Sequence, residues 1–343
     1  MTLTLSVLDL SPVPSGSTAA RALQNTLDLA RRADALGYHR YWLSEHHNMP
    51  GLAGATPEIL IGQVARETSH IRVGSGGIML PNHAPLHVAE AFQTLEALFP
   101  GRIDLGLGRA AGTDPRTSLA LRRAGGDDMA EQVSELLAFA GGGFPEGHPF
   151  RGVAAMPAGV PLPPVWLLGS SDYSARLAGQ RGLGFAFAQH INPYGAAEAL
   201  AIYRQAFTPS PSLAAPEALL TVSVICAETD ERAEYLASSL DLAWLRLRRG
   251  EFGPFPSPEE TLSLSYPTPV RAQILANRDK LTLGSPATVR AKLCAMSSEL
   301  DVDEIMVTTL VHDHFERVRS YELLTEAFGT HPAQVPSLPK REG

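Results

Sequence analysis

The chain is poor in the residues that would tie it to a metal cluster, a membrane or a nucleic acid. Only two cysteines occur among 343 residues. Cys226 sits in TVSVICAE and Cys294 in VRAKLCAM. Both settings are apolar, so both are expected to be reduced core residues, and a disulfide framework or cysteine metal site is set aside. Basic residues are in the minority, 28 Lys and Arg against 36 Asp and Glu for a net charge of −8. That balance argues against a nucleic-acid surface and gives no electrostatic reason to bind an anionic membrane. No apolar run approaches the roughly 18 residues of a membrane span. The opening MTLTLSVLDLSP has no basic segment before its apolar stretch and no small-residue cleavage pattern, so it is read as a first strand and the chain is expected in the cytoplasm. A dinucleotide fingerprint is missing as well. GSGGIM and GLGRAAG lack the GxGxxG spacing and helix onset, so tight NADPH binding is not indicated.

What is present is a long alternation of strands and helices. Hydrophobic residues make up 44% and charged residues 19%, enough for a sizeable core, and the length suits one large α/β barrel or two ordinary domains. Strands are expected at 3–9, 41–43, 71–80, 103–108, 165–168, 184–188, 221–227 and 304–309, each followed by a helix. Eight apolar strands with intervening helices favour a closed (β/α)8 TIM barrel of the α/β class, a single domain over 1–343. Two stretches break the rhythm. Residues 112–164, after strand four, carry GGGFPEGHPFRGVAAMPAGVPLPP and read as an excursion with a short hairpin. Residues 248–282, after strand seven, hold Pro254, Pro256, Pro258, Pro267 and Pro269 and read as irregular.

The stretch 71–113, IRVGSGGIMLPNHAPLHVAEAFQTLEALFPGRIDLGLGRAAGT, organises the rest. Glycines cost a strand entropy and packing, so Gly74, Gly76 and Gly77 suggest that something other than a side chain approaches the third strand. Arg109 falls just past the fourth strand, at the barrel end where ligands bind. The same end receives Glu45, His46 and His47 from strand two, Gly76, Gly77, Pro81 and Asn82 from strand three, Gly169, Ser170 and Ser171 from strand five, and Gln189 and His190 from strand six. In WLLGSSDYSA the turn into a helix, with its free N–H groups and hydroxyls, suits a phosphate, although Ser171 as an ordinary helix cap is the plainer alternative. Adjacent histidines on an extended strand point to opposite sides, and no third spaced ligand accompanies His46 and His47, so no metal is assigned. One of them can manage protons, or both can be structural.

VGSGGIMLP followed by GRIDLGLGRA resembles the signature of the bacterial luciferase-like, flavin-dependent monooxygenases, in their non-luminescent group. WLSEHH, LGSPATVRAKL and the C-terminal DEIMVTTLVHDHFERVRSYELLTEAF extend the resemblance over nearly the whole chain. It implies reduced FMN as co-substrate, supplied by a separate flavin reductase that spends NAD(P)H, and O2 as oxidant toward a small organic substrate. It places the FMN phosphate on Arg109 and Ser170, with Ser171, Tyr173 or Ser174 assisting at the Gly169 turn, and a catalytic role on His46. Gly76 and Gly77 match the position of a cis peptide that backs the flavin ring, and Gln189 or His190 the flavin-lining end of strand six. The cysteine that bacterial luciferase carries before its arginine is Gly108 here, which is expected to leave more room near the ring. Trp244, Phe252 and Phe255 fall near the family's mobile lid and are expected to shape the substrate pocket. Kinship implies a homodimer through helices near 56–68 and 86–98. An NAD(P)H- or deazaflavin-dependent oxidoreductase on the same barrel, and a flavin-binding protein without turnover, remain the alternatives.

Overall fold

The structure is a computed structural model, which describes residues 3–123 and 128–329. Eight parallel positions close on themselves. They are β1 (Thr4–Asp9), β2 (Arg40–Leu43), β3 (Arg72–Ser75) continued by β4 (Ile78–Met79), β5 (Ile103–Gly108), β6 (Val165–Gly169), β7 (Gly184–Ala188), β8 (Ala218–Cys226) and, after the outlying β9 (Thr282–Gly284), β10 (Glu304–Thr308). Pairing of Ile305 with Leu220 on one side and Val7 with Val307 on the other shuts the ring. The (β/α)8 TIM barrel is therefore what the alternation of apolar strands and helices encodes.

Helices α1 (Ala19–Ala35), α2 (Pro57–Glu67), α3 (Pro85–Leu98), α6 (Asp172–Arg181), α7 (Ala196–Ala206), α8 (Asp230–Arg248), α11 (Pro286–Leu300) and α12 (His314–Phe328) wrap the strands. Local chemistry sets their starts. Thr18 Oγ1 accepts from Arg21 N at 3.2 Å, and prolines occupy the first turns of α2, α3 and α11, where a missing N–H costs nothing. Three expectations need correction. The excursion carries α4 (Pro115–Ala120) and α5 (Met129–Leu137) but no hairpin over 143–164, because its glycines and prolines fold as turns. The second insertion is also more regular than its prolines suggest. Pro258 and Pro269 lie in the first turns of α9 (Pro258–Leu262) and α10 (Thr268–Arg278), so residues read as helix breakers are helix starters. Cys226 is buried as expected, but Cys294 is exposed on α11.

Two layers fill the lower part of the barrel. At the N-terminal mouth Arg40 joins Asp104, Glu304 and Glu217, each at 3.0 Å. Above it Trp42 and Trp166 pack edge to face at 5.6 Å between ring centroids, and Trp42 Nε1 donates to Asp104 at 3.1 Å. These rings explain some of the glycines. A Cβ on Gly74 would lie 2.9 Å from Trp42 Nε1, and one on Gly184 would lie 2.5 Å from the Trp166 ring. The close approach inferred for the third strand is thus made partly by the barrel's own side chains. The strand itself divides at the cis peptide between Gly76 and Gly77. There a Cβ would lie 2.5 Å from Leu8 Cδ1 or 2.7 Å from the Gly106 carbonyl. The upper third of the barrel is left for a site.

Candidate active site

A cavity of 420 Å³ opens among the carboxyl ends of the strands. It is lined by His46, Gly76, Gly77, Arg109, Gly169, Ser170 and Ser171, so seven expected site residues meet at one place. Two others do not line it. Tyr173 lies under Arg109, whose guanidinium carbon is 4.3 Å from the ring centroid, so its contribution is to steady that arginine. Gln189 turns away and approaches Met296 of α11 at 3.8 Å. A tight turn after β7, with Gln189 N donating to Phe187 O, brings the next residue inward instead. His190 lines the cavity, its backbone N–H and ring Nδ1 both on the Thr221 carbonyl. Gly108 does not leave open room either. Met79 fills the space, its sulfur 2.8 Å from where a Cβ would stand.

One end of the cavity has the chemistry of an anion seat. Thr18, Asp114, Thr229, Ser257 and Asp313 each cap their own helix with a side-chain oxygen, whereas Ser171 starts α6 without doing so, as Thr56 and Ser285 also start α2 and α11. The amino terminus of α6, with its positive end of the helix dipole, stands beside the hydroxyls of Ser170 and Ser171 and the Arg109 guanidinium. Asn192 Nδ2 holds the Ser170 carbonyl at 2.8 Å and fixes the turn. This donor set suits a phosphate monoester.

The other end holds His46. Ser44 Oγ lies 3.1 Å from its Nδ1, and burial lowers its pKa to about 4 against the opposing charge of Glu45, so the ring is neutral at physiological pH. Glu45 is fully buried. It takes His47 at 2.8 Å, His83 at 3.0 Å, the Met79 N–H at 2.8 Å and Asn82 at 3.1 Å. Burial alone would raise its pKa, but the His83 hydrogen bond and charge, with those of His47 and Met79, outweigh it and bring the pKa to about 2. His83 is raised in return by its bond to Glu45, more than burial lowers it. Glu45 therefore clamps the loop after β4 and does not reach solvent.

A second cavity of 410 Å³ adjoins the first through Leu10, His46 and His190. Trp244, Phe252 and Phe255 line it together with Leu240 and Leu247. Its cover, the segment after α8, is pinned where Phe255 N donates to Val13 O at 2.7 Å and Ser15 N to Phe255 O at 2.8 Å.

Comparison with known proteins decides the kinship. Residues 3–304 match the model of the luciferase-like monooxygenases. The chain belongs to that family. An Escherichia coli (strain K12) protein named luciferase-like monooxygenase is 45% identical over 94% of this chain and 96% of its own. The N-acetyl-S-alkylcysteine monooxygenase of Bacillus subtilis (strain 168) is 34% identical over 94% of this chain and 97% of its own. The solved structure of apo-MsnO8 is 40% identical, covers 96% of this chain and 99% of its own, and superposes with a TM-score of 0.88. Two more distant structures share the fold: the oxygenating constituent of 3,6-diketocamphane monooxygenase from a Pseudomonas putida plasmid, in complex with FMN (20% identity, TM-score 0.70, 99% and 100% covered), and an F420-dependent secondary alcohol dehydrogenase (14%, 0.65, 96% and 99%). Flavin-type cofactors thus occupy this fold in both oxygenases and dehydrogenases. Among the described residues no helix is long and apolar enough to cross a membrane.

His83 is the part of the Glu45 cluster that sequence reasoning missed, although Pro81 and Asn82 of the same loop were expected at the end of strand three. Its only signal was two prolines bracketing Asn82 and His83. The loop makes stability pH-dependent in a definite way. Glu45, with its pKa lowered to about 2, contributes stability that is complete above the ordinary carboxylate range and lost as pH falls toward 2. His46, lowered to about 4, adds a loss between about 6.5 and 4, and His83, raised, loses its contribution as pH rises above 6.5. These three groups together place the stability maximum near neutrality. Glu45→Gln is expected to cost about 3 kcal/mol at pH 7, because it unpairs a buried cluster, and to flatten the loss below pH 4.5. Urea midpoints from pH 3 to 8 test both; a variant whose curve parallels the wild type would contradict the assignment.

Proposed function

We propose that this chain is an FMN-dependent monooxygenase that receives reduced FMN from a separate NAD(P)H-dependent flavin reductase and oxygenates a small organic substrate with O2. The observation that carries the reading is the meeting of two cavities at His46 and His190, one ending in a phosphate-type seat, the other apolar and covered by a loop. Bound reduced FMN would supply two electrons, so that one oxygen atom of O2 enters the substrate and the other leaves as water.

The protein's share is binding, orientation and exclusion of water. Arg109, Ser170, Ser171 and the α6 N-terminus hold the anionic tail, and Tyr173 holds Arg109. Gly169 allows the turn, since a Cβ there would meet Ser174 Oγ at 2.4 Å. Gly76 and Gly77 give a wall without side chains. His46 is neutral, and with Nδ1 engaged by Ser44 its Nε2 is left to accept or return a proton at the junction of the cavities. The apolar compartment keeps water from the reacting atoms. A homodimer through α2 and α3 is part of the proposal, supported by Ile59 and Leu98, which are 62% and 66% exposed there.

The test supplies reduced FMN under ¹⁸O2 with a panel of aldehydes, thioethers and aromatics. One ¹⁸O atom per product molecule is expected. A hydride-transferring oxidoreductase that uses deazaflavin or NAD(P)H would give product without label, and a binding protein would give none.

A further inference from the structure

The apolar compartment is lined by a cation that, among the described residues, forms no ion pair. Lys280, between α10 and β9, lines it beside Asn277 and Leu281. The other charged chains of the lining are Arg246 and Glu251. Arg246 is paired with Glu260 at 2.6 Å, and Glu251 is exposed on the covering loop. Among the described residues no carboxylate forms an ion pair with the Lys280 ammonium, and its side chain makes no hydrogen bond. Trp244, Leu240 and Leu247 line the same cavity, so an incoming anion with an apolar body would meet both the ammonium and an apolar wall.

We propose that this compartment takes an amphipathic organic anion, a carboxylate on an apolar body. The carboxylate binds Lys280 and Asn277, and the apolar body lies along Trp244 and Phe252. His46 and His190 close the side shared with the cofactor cavity, so the atom oxygenated is at the end of the substrate remote from its carboxylate. Trp244 is held for this purpose by Arg248, whose guanidinium carbon stands 5.0 Å from its ring centroid. The inference rests on the second cavity being the substrate site of the proposed oxygenase, but its binding test does not require turnover.

The experiment measures binding of decanoate and of 1-decanol by calorimetry to the full chain without flavin, with FMN affinity measured separately. Decanoate is expected to bind at least 10-fold more tightly than decanol. Lys280→Met should erase that preference while leaving decanol and FMN binding unchanged, and Lys280→Arg should keep most of it. Equal affinities in the wild type, or a preference that survives Lys280→Met, would overturn the proposal. Loss of FMN binding with the decanoate preference intact would instead count against the cofactor assignment alone.

Discussion

Arg109→Ala is expected to weaken binding of reduced FMN about 100-fold, because it removes charge-assisted hydrogen bonds worth about 3 kcal/mol together at a partly buried phosphate. Arg109→Lys keeps the charge but loses the planar fork and the stacking on Tyr173, 4.3 Å away, so an intermediate loss of roughly 10-fold is expected. Ser170 and Ser171 each contribute a neutral hydroxyl, and their alanine variants should lose less. Anaerobic titration followed by flavin fluorescence gives the order directly. An Arg109→Ala protein with an unchanged dissociation constant would remove the anion seat from the account.

The second large effect concerns the frame that holds the seat. Gly106 lies on β5 against the point where β3 gives way to β4, and an added Cβ would stand 2.0 Å from the Ser75 carbonyl oxygen. Backbone cannot rotate out of the way as a side chain can. The Ser75 hydroxyl also donates to Gly106 O at 2.8 Å and accepts from Gly106 N at 3.0 Å, so both bonds are disturbed as the strands part. Gly106→Ala is expected to cost about 3 kcal/mol, with flavin binding lost alongside stability because Gly76 and Gly77 move with Ser75. Gly253→Ala is the control. A Cβ there meets nothing within 4 Å, and its stability should stay within about 0.5 kcal/mol of wild type. Equal midpoints for the two variants would show that the β3–β5 spacing is not what these glycines protect.

Much of the barrel was legible because parallel strands covered on both faces are apolar throughout, and because caps such as Thr18 and prolines such as Pro57 punctuate the helices. Strand ends were legible for the same reason, and with them Arg109, Ser170 and His46. What escaped is what local pattern does not encode. Gln189 and His190 exchange places because a turn after β7 interrupts the alternation of a strand, and alternation was the only guide to which side chain faces in. Met79 fills the space beside Gly108 from a neighbouring strand, a contact between chain segments some thirty positions apart. Of the Glu45 cluster, Glu45, His47 and Asn82 were placed at the barrel end but His83 was not, and a buried carboxylate with that many donors reads in sequence like any surface acid. The prolines of the second insertion misled because one residue type both ends helices and begins them. Cys294 was misplaced by apolar neighbours that face a different side of α11.

These points converge on where a flavin phosphate would sit. The most direct measurement is a crystal structure of the chain with FMN bound. The account predicts the phosphate within hydrogen-bonding distance of Arg109, Ser170 and the first N–H groups of α6, with the ring system against Gly76 and Gly77 and its edge toward His46. A phosphate bound at any other terminus, or a ring lodged under Trp244 and Phe255, would contradict it.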